Sequence, residues 1–398
     1  MTSTAEQMRR WQGPAVLTVG FRLFFLAAGI WAFLAMVLWI VMLSGAAPLP
    51  VAFDAVSWHA HEFLWGYTSA VITGFLLTAV PNWTGRLPVV GWPVAGLAAI
   101  WLAGRIAMAL SGWLPGLLVA LVDLSFLAAL VLVLTREIVA GKSWRNLKVV
   151  GLVGVFLLGN AIFHLEFLRE GSAASGFGLR FGLGATILLI LVIGGRVTPS
   201  FTRNWFVKQG RPERPAATIG PVDQVALGLA VAAIGFWAVL PHAMLSAVLC
   251  LLAGLANLFR LARWSGHRTF SEPLVTILHV GYGLAALGFV SVGLAGLGLG
   301  QAIAAQHVWM VGAIATMTLA MMTRASLGHA GLPLTASPGV SAVYVAIVGA
   351  TLARFLAGVT PWYDPMIWLS GALWLASFGG FVAIYWPILA RAPQRARG

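Results

Sequence analysis

About twelve apolar stretches, each roughly 20 residues long, follow one another along the chain, with almost all charge confined to the gaps between them. A stretch of roughly 17–25 apolar residues spans the hydrocarbon core of a bilayer as a helix. Lipid offers no partner to backbone N–H and C=O groups, so only a helix or a closed barrel can cross it. The stretches fall at 20–44, 57–80, 91–112, 114–135, 147–167, 176–200, 220–241, 243–262, 273–297, 301–324, 339–358 and 364–389. The expectation is an all-α polytopic membrane protein of about 12 transmembrane helices, a single integral membrane domain over residues 1–398. Only 9% of the residues are charged, against about 25% in a soluble domain, too few to cover a water-facing globule of 398 residues.

The net charge of +13 invites a nucleic-acid reading, which its placement excludes. About 19 of the 24 Lys and Arg lie at alternate ends of the spans. They are Arg9, Arg10, Arg86, Arg136, Lys142, Arg145, Lys148, Arg196, Arg203, Lys208, Arg211, Arg214, Arg260, Arg263, Arg268, Arg324, Arg391, Arg395 and Arg397. The intervening connections are nearly bare, Arg169 being the exception. This positive-inside pattern puts both termini in the cytoplasm and calls for an even number of spans. The first apolar stretch is too long for a cleavable signal and is expected to remain as the first span, with no soluble domain attached at either end.

The lone Cys250 lies in an apolar span, so neither a disulfide framework nor a cysteine-based metal site is expected. No Cys-x-x-Cys-His attachment motif is present, so any heme is held non-covalently. A phosphate loop and a nucleotide fingerprint are also missing, which speaks against an ATP-driven pump.

The longest connection, about 201–219, is basic and carries Arg211-Pro212-Glu213-Arg214-Pro215. A finer period is also visible. The second span ends in Thr78-Ala79-Val80-Pro81-Asn82-Trp83-Thr84-Gly85-Arg86, the sixth in Val197-Thr198-Pro199-Ser200-Phe201-Thr202-Arg203, and the tenth in Met322-Thr323-Arg324-Ala325-Ser326. These Thr/Arg-rich ends recur roughly every 120 residues, which fits three pseudo-repeats of four helices over about 15–140, 141–265 and 266–390. Heme–copper oxidases have that arrangement. Helices also commonly end in such residues without any repeat.

Ionisable groups inside a span are costly and are functional candidates by default. His59 and His61 lie at the outer end of the second span, His164 at the outer end of the fifth and His307 at the outer start of the tenth. Four histidines from three helices therefore gather at one depth. A single histidine at a span end is ordinarily interfacial, and that reading suits His242 and His267. Four at one depth, two in Trp58-His59-Ala60-His61-Glu62, point instead to heme or metal ligation, since imidazole suits iron, copper and zinc. Residues two apart on a helix point about 200° from each other, so His59 and His61 serve different centres. Glu62, three residues from His59, is expected on His59's face, as an orienting or proton-donating group. His279 and His329, toward the cytoplasmic side, fit either reading. Glu62 and Asp123 are candidates for a proton path, or for pairing with an intramembrane arginine such as Arg105. Arg22, Arg105, Arg180 and Arg354 either neutralise heme propionates or reach for the interface. Most of the 18 Trp sit near span ends, as interfacial Trp does.

Several of these runs carry a family resemblance. They include Gly20-Phe21-Arg22-Leu23-Phe24-Phe25, Trp58-His59-Ala60-His61-Glu62 and Gly74-Phe75-Leu76-Leu77-Thr78-Ala79-Val80-Pro81-Asn82-Trp83-Thr84-Gly85-Arg86. Asn257-Leu258-Phe259-Arg260, Leu278-His279-Val280-Gly281-Tyr282 and Val311-Gly312-Ala313-Ile314 leading to Met322-Thr323-Arg324-Ala325-Ser326-Leu327-Gly328-His329 complete the set. From about residue 15 to 390 the chain resembles the NnrS family of bacterial inner-membrane proteins. The resemblance implies twelve spans, heme and copper, and a role in nitric oxide metabolism and tolerance of nitrosative stress. The family's histidine positions fall on His59, His61, His164, His279, His307 and His329. The looser likeness to heme–copper oxidases stops at copper: their copper histidines lie on the sixth and seventh spans, where this chain has only His242 at the end of the seventh.

The expectation is thus a multi-pass protein of the bacterial inner membrane holding heme b and copper, with nitric oxide as ligand or substrate. Either His59 or His61 pairs with His307 on a heme, and the other joins His164 at a second centre. If nitric oxide is reduced, electrons come from a quinol or cytochrome donor and protons pass through groups such as Glu62. A different class of function, a transporter whose histidines bind a passing metal ion or small molecule, would give a colourless protein. A non-catalytic sensor or store of heme or copper would bind without turnover.

Overall fold

The structure, a computed structural model, describes residues 11–47, 49–211 and 220–391. Arg9, Arg10, Arg214, Arg395, Arg397 and residues 212–215 of the basic connection lie outside the described residues.

Every regular element among the described residues is helical, and 12 helices are long and apolar enough to span a membrane. They are α1 (Gly20–Ser44), α2 (Ala55–Thr84), α3 (Trp92–Ala109), α4 (Gly116–Ala140), α5 (Trp144–Glu170) and α6 (Phe177–Lys208). There follow α7 (Pro221–Val239), α8 (Met244–Ala262), α9 (Pro273–Gly296), α10 (Ala302–His329), α11 (Pro338–Ala357) and α12 (Tyr363–Ala390). The spans expected from the sequence recur with shifts of a few residues. The largest differences are at the ends of α6, α4 and α10, which continue to Lys208, Ala140 and His329. The long connection therefore begins after Lys208 rather than near residue 201.

The motifs expected to terminate helices are helical because their polar side chains bond back onto their own helix. Thr78 donates to the carbonyl of Gly74, Thr84 to Val80, Thr202 to Thr198 and Thr323 to Leu319. Pro81 and Pro199 lie inside α2 and α6. Proline is tolerated in membrane helices because an unravelled backbone has nothing else to bond to there. Helix starts follow ordinary rules: the Asp54 carboxylate accepts from the Ser57 N–H at the head of α2, and Ser337 accepts from Val340 at the head of α11.

Two spans are not continuous α-helices. In α2 the segment Glu62–Tyr67 is π-helical, and in α10 the segment Val308–Ala315 is. Such segments widen the helix and shift the side-chain register, and they are frequent at functional sites.

The chain forms two compact units: Met1–Gly182 with Ala325–Leu332 and Phe381–Gly398, and Leu183–Arg324 with Pro333–Gly380. In the first, α1 and α3 pack on α2, and α4 packs on α2, α3 and α5. Arg22 of α1 donates to the carbonyl of Arg391 at 2.8 Å, placing a cation on the otherwise unsatisfied carbonyl end of α12. In the second, α7 packs on α8, α8 on α9, α9 on α10 and α10 on α11.

Candidate metal centre

Antiparallel neighbours bring alternate helix ends to one face: α2 and α4 begin where α3 and α5 finish. His61, Arg105, Asp123 and His164 each lie about four to seven residues from that end of their helix. At 1.5 Å per residue they sit roughly 6–11 Å inside the bundle, at a common depth. All four are buried, as are Glu62 and Asn160.

Their side chains form one connected cluster. His61 and His164 each place Nε2 3.1 Å from Oδ2 of Asp123. Asn160 sets its Oδ1 3.0 Å from His61 Nε2 and donates its amide to the same Asp123 oxygen at 2.7 Å. The other ring nitrogen of His61, Nδ1, is 3.0 Å from Glu62 Oε1. Arg105 donates to Glu62 Oε1 at 2.5 Å and, through its other amino group, to Asp123 Oδ1. The remaining Glu62 oxygen accepts from the Trp31 indole at 2.8 Å. Gly66 makes room for this convergence: a Cβ there would lie 2.6 Å from Glu62 Oε2, 2.7 Å from Arg105 Nη1 and 2.8 Å from Trp31 Nε1.

Charge singles this cluster out. Two carboxylates, Glu62 and Asp123, face one guanidinium, Arg105, which leaves one negative charge in a membrane interior. Buried charge is sustainable only when compensated. The groups positioned to supply the balance are the two imidazoles, by one proton, or a cation between them. The buried ionic cluster of the second unit differs. There Arg260 donates to Asp223 at 2.7 Å, to the Tyr282 hydroxyl at 2.7 Å and to the Leu191 carbonyl at 3.2 Å. The Tyr282 hydroxyl in turn donates to Asn257 Oδ1 at 2.7 Å. Asp223 meets Arg260 and, at 3.5 Å, Arg263, none of these groups is an imidazole, and the network reads as a structural tie between α7, α8 and α9.

The donor set of the first cluster fits a compact metal ion. One ligand atom each from His61, Asp123 and His164 lie within 4.8 Å of one another. Two imidazole nitrogens and a carboxylate oxygen suit zinc, copper or iron. An ion about 2.0–2.1 Å from each donor in tetrahedral geometry needs donors about 3.3 Å apart, so the two 3.1 Å contacts would open by a few tenths of an ångström. The surrounding groups are those that orient metal ligands: Glu62 on the far nitrogen of His61, and Arg105 on the far oxygen of Asp123.

Aromatic rings enclose the centre. Phe53, in the connection before α2, meets the His164 ring edge-on at 5.9 Å, stacks on Phe167 at 3.7 Å and lies 6.3 Å from His61. Phe163 and Trp65 close two further sides, 5.6 and 5.4 Å from His61. The Phe53 segment is pinned by Gly112 N–H to the Pro50 carbonyl and Ala52 N–H to Ser111 Oγ, both 2.9 Å.

Of the histidines singled out in the sequence, the structure brings His61 and His164 together. His59 points away from them, its ring stacked on Trp39 at 4.4 Å and against Phe63 at 4.6 Å. Glu62, expected on His59's face, makes hydrogen bonds to His61, Arg105 and Trp31. Asp123 and Glu62 take the arginine-paired alternative, with Arg105 as the partner. His307 is half-buried, with Nδ1 2.7 Å from the Ile303 carbonyl. His279 is buried on α9 with Nε2 2.8 Å from Thr202 Oγ1, and His329 lies at the end of α10 against Phe21, ring centres 5.1 Å apart. His242 is exposed in the turn between α7 and α8. Glu166, near His164 in sequence, accepts from the N–H groups of Phe177 and Gly178 and so caps α6. Sequence reasoning missed Asn160, although its spacing four residues before His164 places both on one helix face. Phe53 and Trp31 carried no sequence signal.

Comparison with known proteins gives a family match over nearly the whole chain: the model described as NnrS protein covers residues 15–392. No curated protein matches it.

Proposed function

The chain belongs to the NnrS family, and on that premise we propose that it is a heme- and copper-binding membrane protein acting in nitric oxide metabolism or protection from nitrosative stress. The observation that supports this most is the buried His61–Asp123–His164 cluster, whose three ligand atoms lie within 4.8 Å of one another. In this reading His61, Asp123 and His164 are the residues that would hold copper. Heme b is held without covalent attachment, with His59 and His307 as its candidate ligands and His279 and His329 as further metal-binding positions. The protein lies in the bacterial inner membrane with both termini in the cytoplasm, which puts the cluster near the periplasmic face.

Heme and copper supply the redox chemistry when bound; the chain supplies the rest. Asp123 holds the two imidazoles at fixed separation, Arg105 donates to both carboxylates, and Phe53, Phe163 and Trp65 exclude water. Nitric oxide is small and apolar and reaches such a site through the bilayer. Reducing two molecules to nitrous oxide and water takes two electrons, from a quinol or cytochrome donor, and two protons. Glu62, bonded to His61 Nδ1, is the group placed to hold one of them. The transporter reading is less well supported, since the candidate ligands are enclosed by rings and locked by Arg105. The three-by-four repeat belongs to this proposal as well. In its favour, α2 and α10 both turn π-helical directly after a histidine, and a Trp in each π segment, Trp65 or Trp309, donates to a neighbouring span's carbonyl at 3.0 Å.

The test is the reduced-minus-oxidised absorption spectrum of the purified protein, with its iron and copper content. Sharp b-type bands that shift on adding nitric oxide, with copper bound, support the proposal. A colourless, metal-free preparation from heme- and copper-sufficient cells makes transport the better reading. Vesicles that bind nitric oxide but do not consume it with a donor present leave a binding protein and remove the reductase.

A further inference from the structure

Asn160 on α5, only 1% exposed, enters the buried cluster of the first unit with both ends of its amide. Its Nδ2 donates to Asp123 Oδ2 at 2.7 Å, and its Oδ1 lies 3.0 Å from His61 Nε2. The reverse orientation would set the amide oxygen against a carboxylate oxygen at that short distance, acceptor on acceptor. The network therefore fixes which atom faces the histidine.

His61 meets acceptors at both ring nitrogens: Glu62 at Nδ1, and Asp123 with Asn160 at Nε2. With the Nδ1 hydrogen given to Glu62, as the far nitrogen of a metal-bound histidine is given to a carboxylate, Nε2 turns a lone pair toward two oxygens. A proton on Nε2 would point along one bond at one of them; a cation meets both at once. An ion bound tetrahedrally at about 2.0–2.1 Å holds its donors about 3.3 Å apart. His61 Nε2 keeps that spacing, within a few tenths of an ångström, to Asp123 Oδ2 and to Asn160 Oδ1, and His164 Nε2 keeps it to Asp123 Oδ2. Side-chain amide oxygen is a known weak ligand of copper.

The backbone holds Asn160 in place. Its neighbour Gly159 lies where α5 presses on the start of α6: a Cβ there would be 2.7 Å from the Gly182 nitrogen and 3.0 Å from the Gly178 carbonyl oxygen. A Cβ on Gly178 would in turn collide with the Phe163 nitrogen. Close backbone approach of this kind, glycine to glycine, fixes the rotation of α5. Asn160 and His164, four residues apart, share the face so turned inward.

We propose that Asn160 Oδ1 is the fourth ligand of the ion held by His61, Asp123 and His164, and that this centre is closed to outside ligands. The inference rests on the reading in which that cluster holds copper. Four protein donors mark closed centres, and an unfilled position marks catalytic ones. A closed ion has no position for nitric oxide, so this centre holds structure or passes electrons while the gas binds elsewhere.

The test is electron paramagnetic resonance of the full-length protein in lipid nanodiscs, loaded with less than one Cu2+ per chain. Spectra are compared in ordinary water and in water enriched in the magnetic isotope of oxygen, which broadens the lines of any Cu2+ that binds it. The signal of this centre is the one lost in Asp123→Asn. Three protein donors leave Cu2+ a position that water fills, and four leave none, so wild type is expected to show no broadening. Asn160→Ala is expected to gain it and to bind Cu2+ at least tenfold more weakly in competition with a chelator. Asn160→Asp, which keeps an oxygen in place, is expected to stay unbroadened. Broadening in wild type overturns the proposal even where Asn160→Ala does not fold. A folded Asn160→Ala with wild-type affinity and no bound water overturns it too. Either result leaves copper at the cluster, whereas a wild type that binds no Cu2+ there removes the copper reading as well.

Discussion

His61 on α2 and His164 on α5 lie with ring centres 5.1 Å apart and share one partner, Oδ2 of Asp123, 3.1 Å from the Nε2 of each. More than 100 residues of sequence separate the two rings, yet a single carboxylate oxygen fixes their spacing. The oxygen that would bridge them in the absence of an ion is also the one that would bind it.

Asp123 is therefore the residue whose charge matters most for metal retention. Asp123→Asn keeps the shape and removes the anion, and it is expected to weaken metal binding more than about 100-fold, beyond the 10–100-fold range typical of outer-shell changes. Glu62→Gln, which alters only the group behind His61, is expected to fall within that range. Competition with a chromophoric chelator measures both. Equal affinity in wild type and Asp123→Asn would remove the site.

Arg105 is expected to be a stability residue first. Arg105→Ala strands Glu62 and Asp123 as uncompensated buried carboxylates, at a cost of about 3–5 kcal/mol. Adding Glu62→Gln to that variant removes one of the stranded charges and is expected to restore part of the loss. Thermal unfolding in one detergent, followed by circular dichroism, gives the order wild type, double variant, single variant.

Phe53 controls access rather than affinity. Its ring covers His164 and stacks on Phe167 without donating or accepting a hydrogen bond. Phe53→Ala is expected to speed metal loss to an excess of chelator several-fold while leaving the equilibrium constant within about threefold, as stopped-flow mixing will record. An unchanged release rate assigns the route to another side of the cluster.

Heme, if bound as proposed, depends on residues outside that cluster. His59→Ala and His307→Ala are each expected to lose b-type absorption, and His242→Ala, in an exposed turn, to keep it. Full heme occupancy in both of the first two variants overturns that ligand assignment.

Much of the architecture was legible in the residues. The expected and observed starts of α1, α9 and α12 agree to within one residue, because lipid admits only apolar helices and charge must fall between them. The ends of α2, α6 and α10 were less legible. Threonine and proline read as terminators in water, yet Thr84 and Thr202, beyond the expected ends of their spans, lie in helix with their hydroxyls bonded back to Val80 and Thr198. The candidate centre was half visible. Its histidines and acids stood out as polar residues in apolar spans, and Arg105 was recognisable as a partner. What the helical wheel did not give was Glu62's partners, which come from α1 and α3 as well as from its own helix.

The sequence by itself determined how many times the chain crosses and the depth at which each polar residue sits, since both follow from counting along a helix of fixed rise. Which groups at one depth meet depends on the rotation of each helix about its axis and on which helices pack together. Those are set by side-chain packing between spans far apart in sequence. Only the tertiary structure, through the α2–α3–α4–α5 packing, decided that His61 joins Asp123 and His164 while His59 faces Trp39.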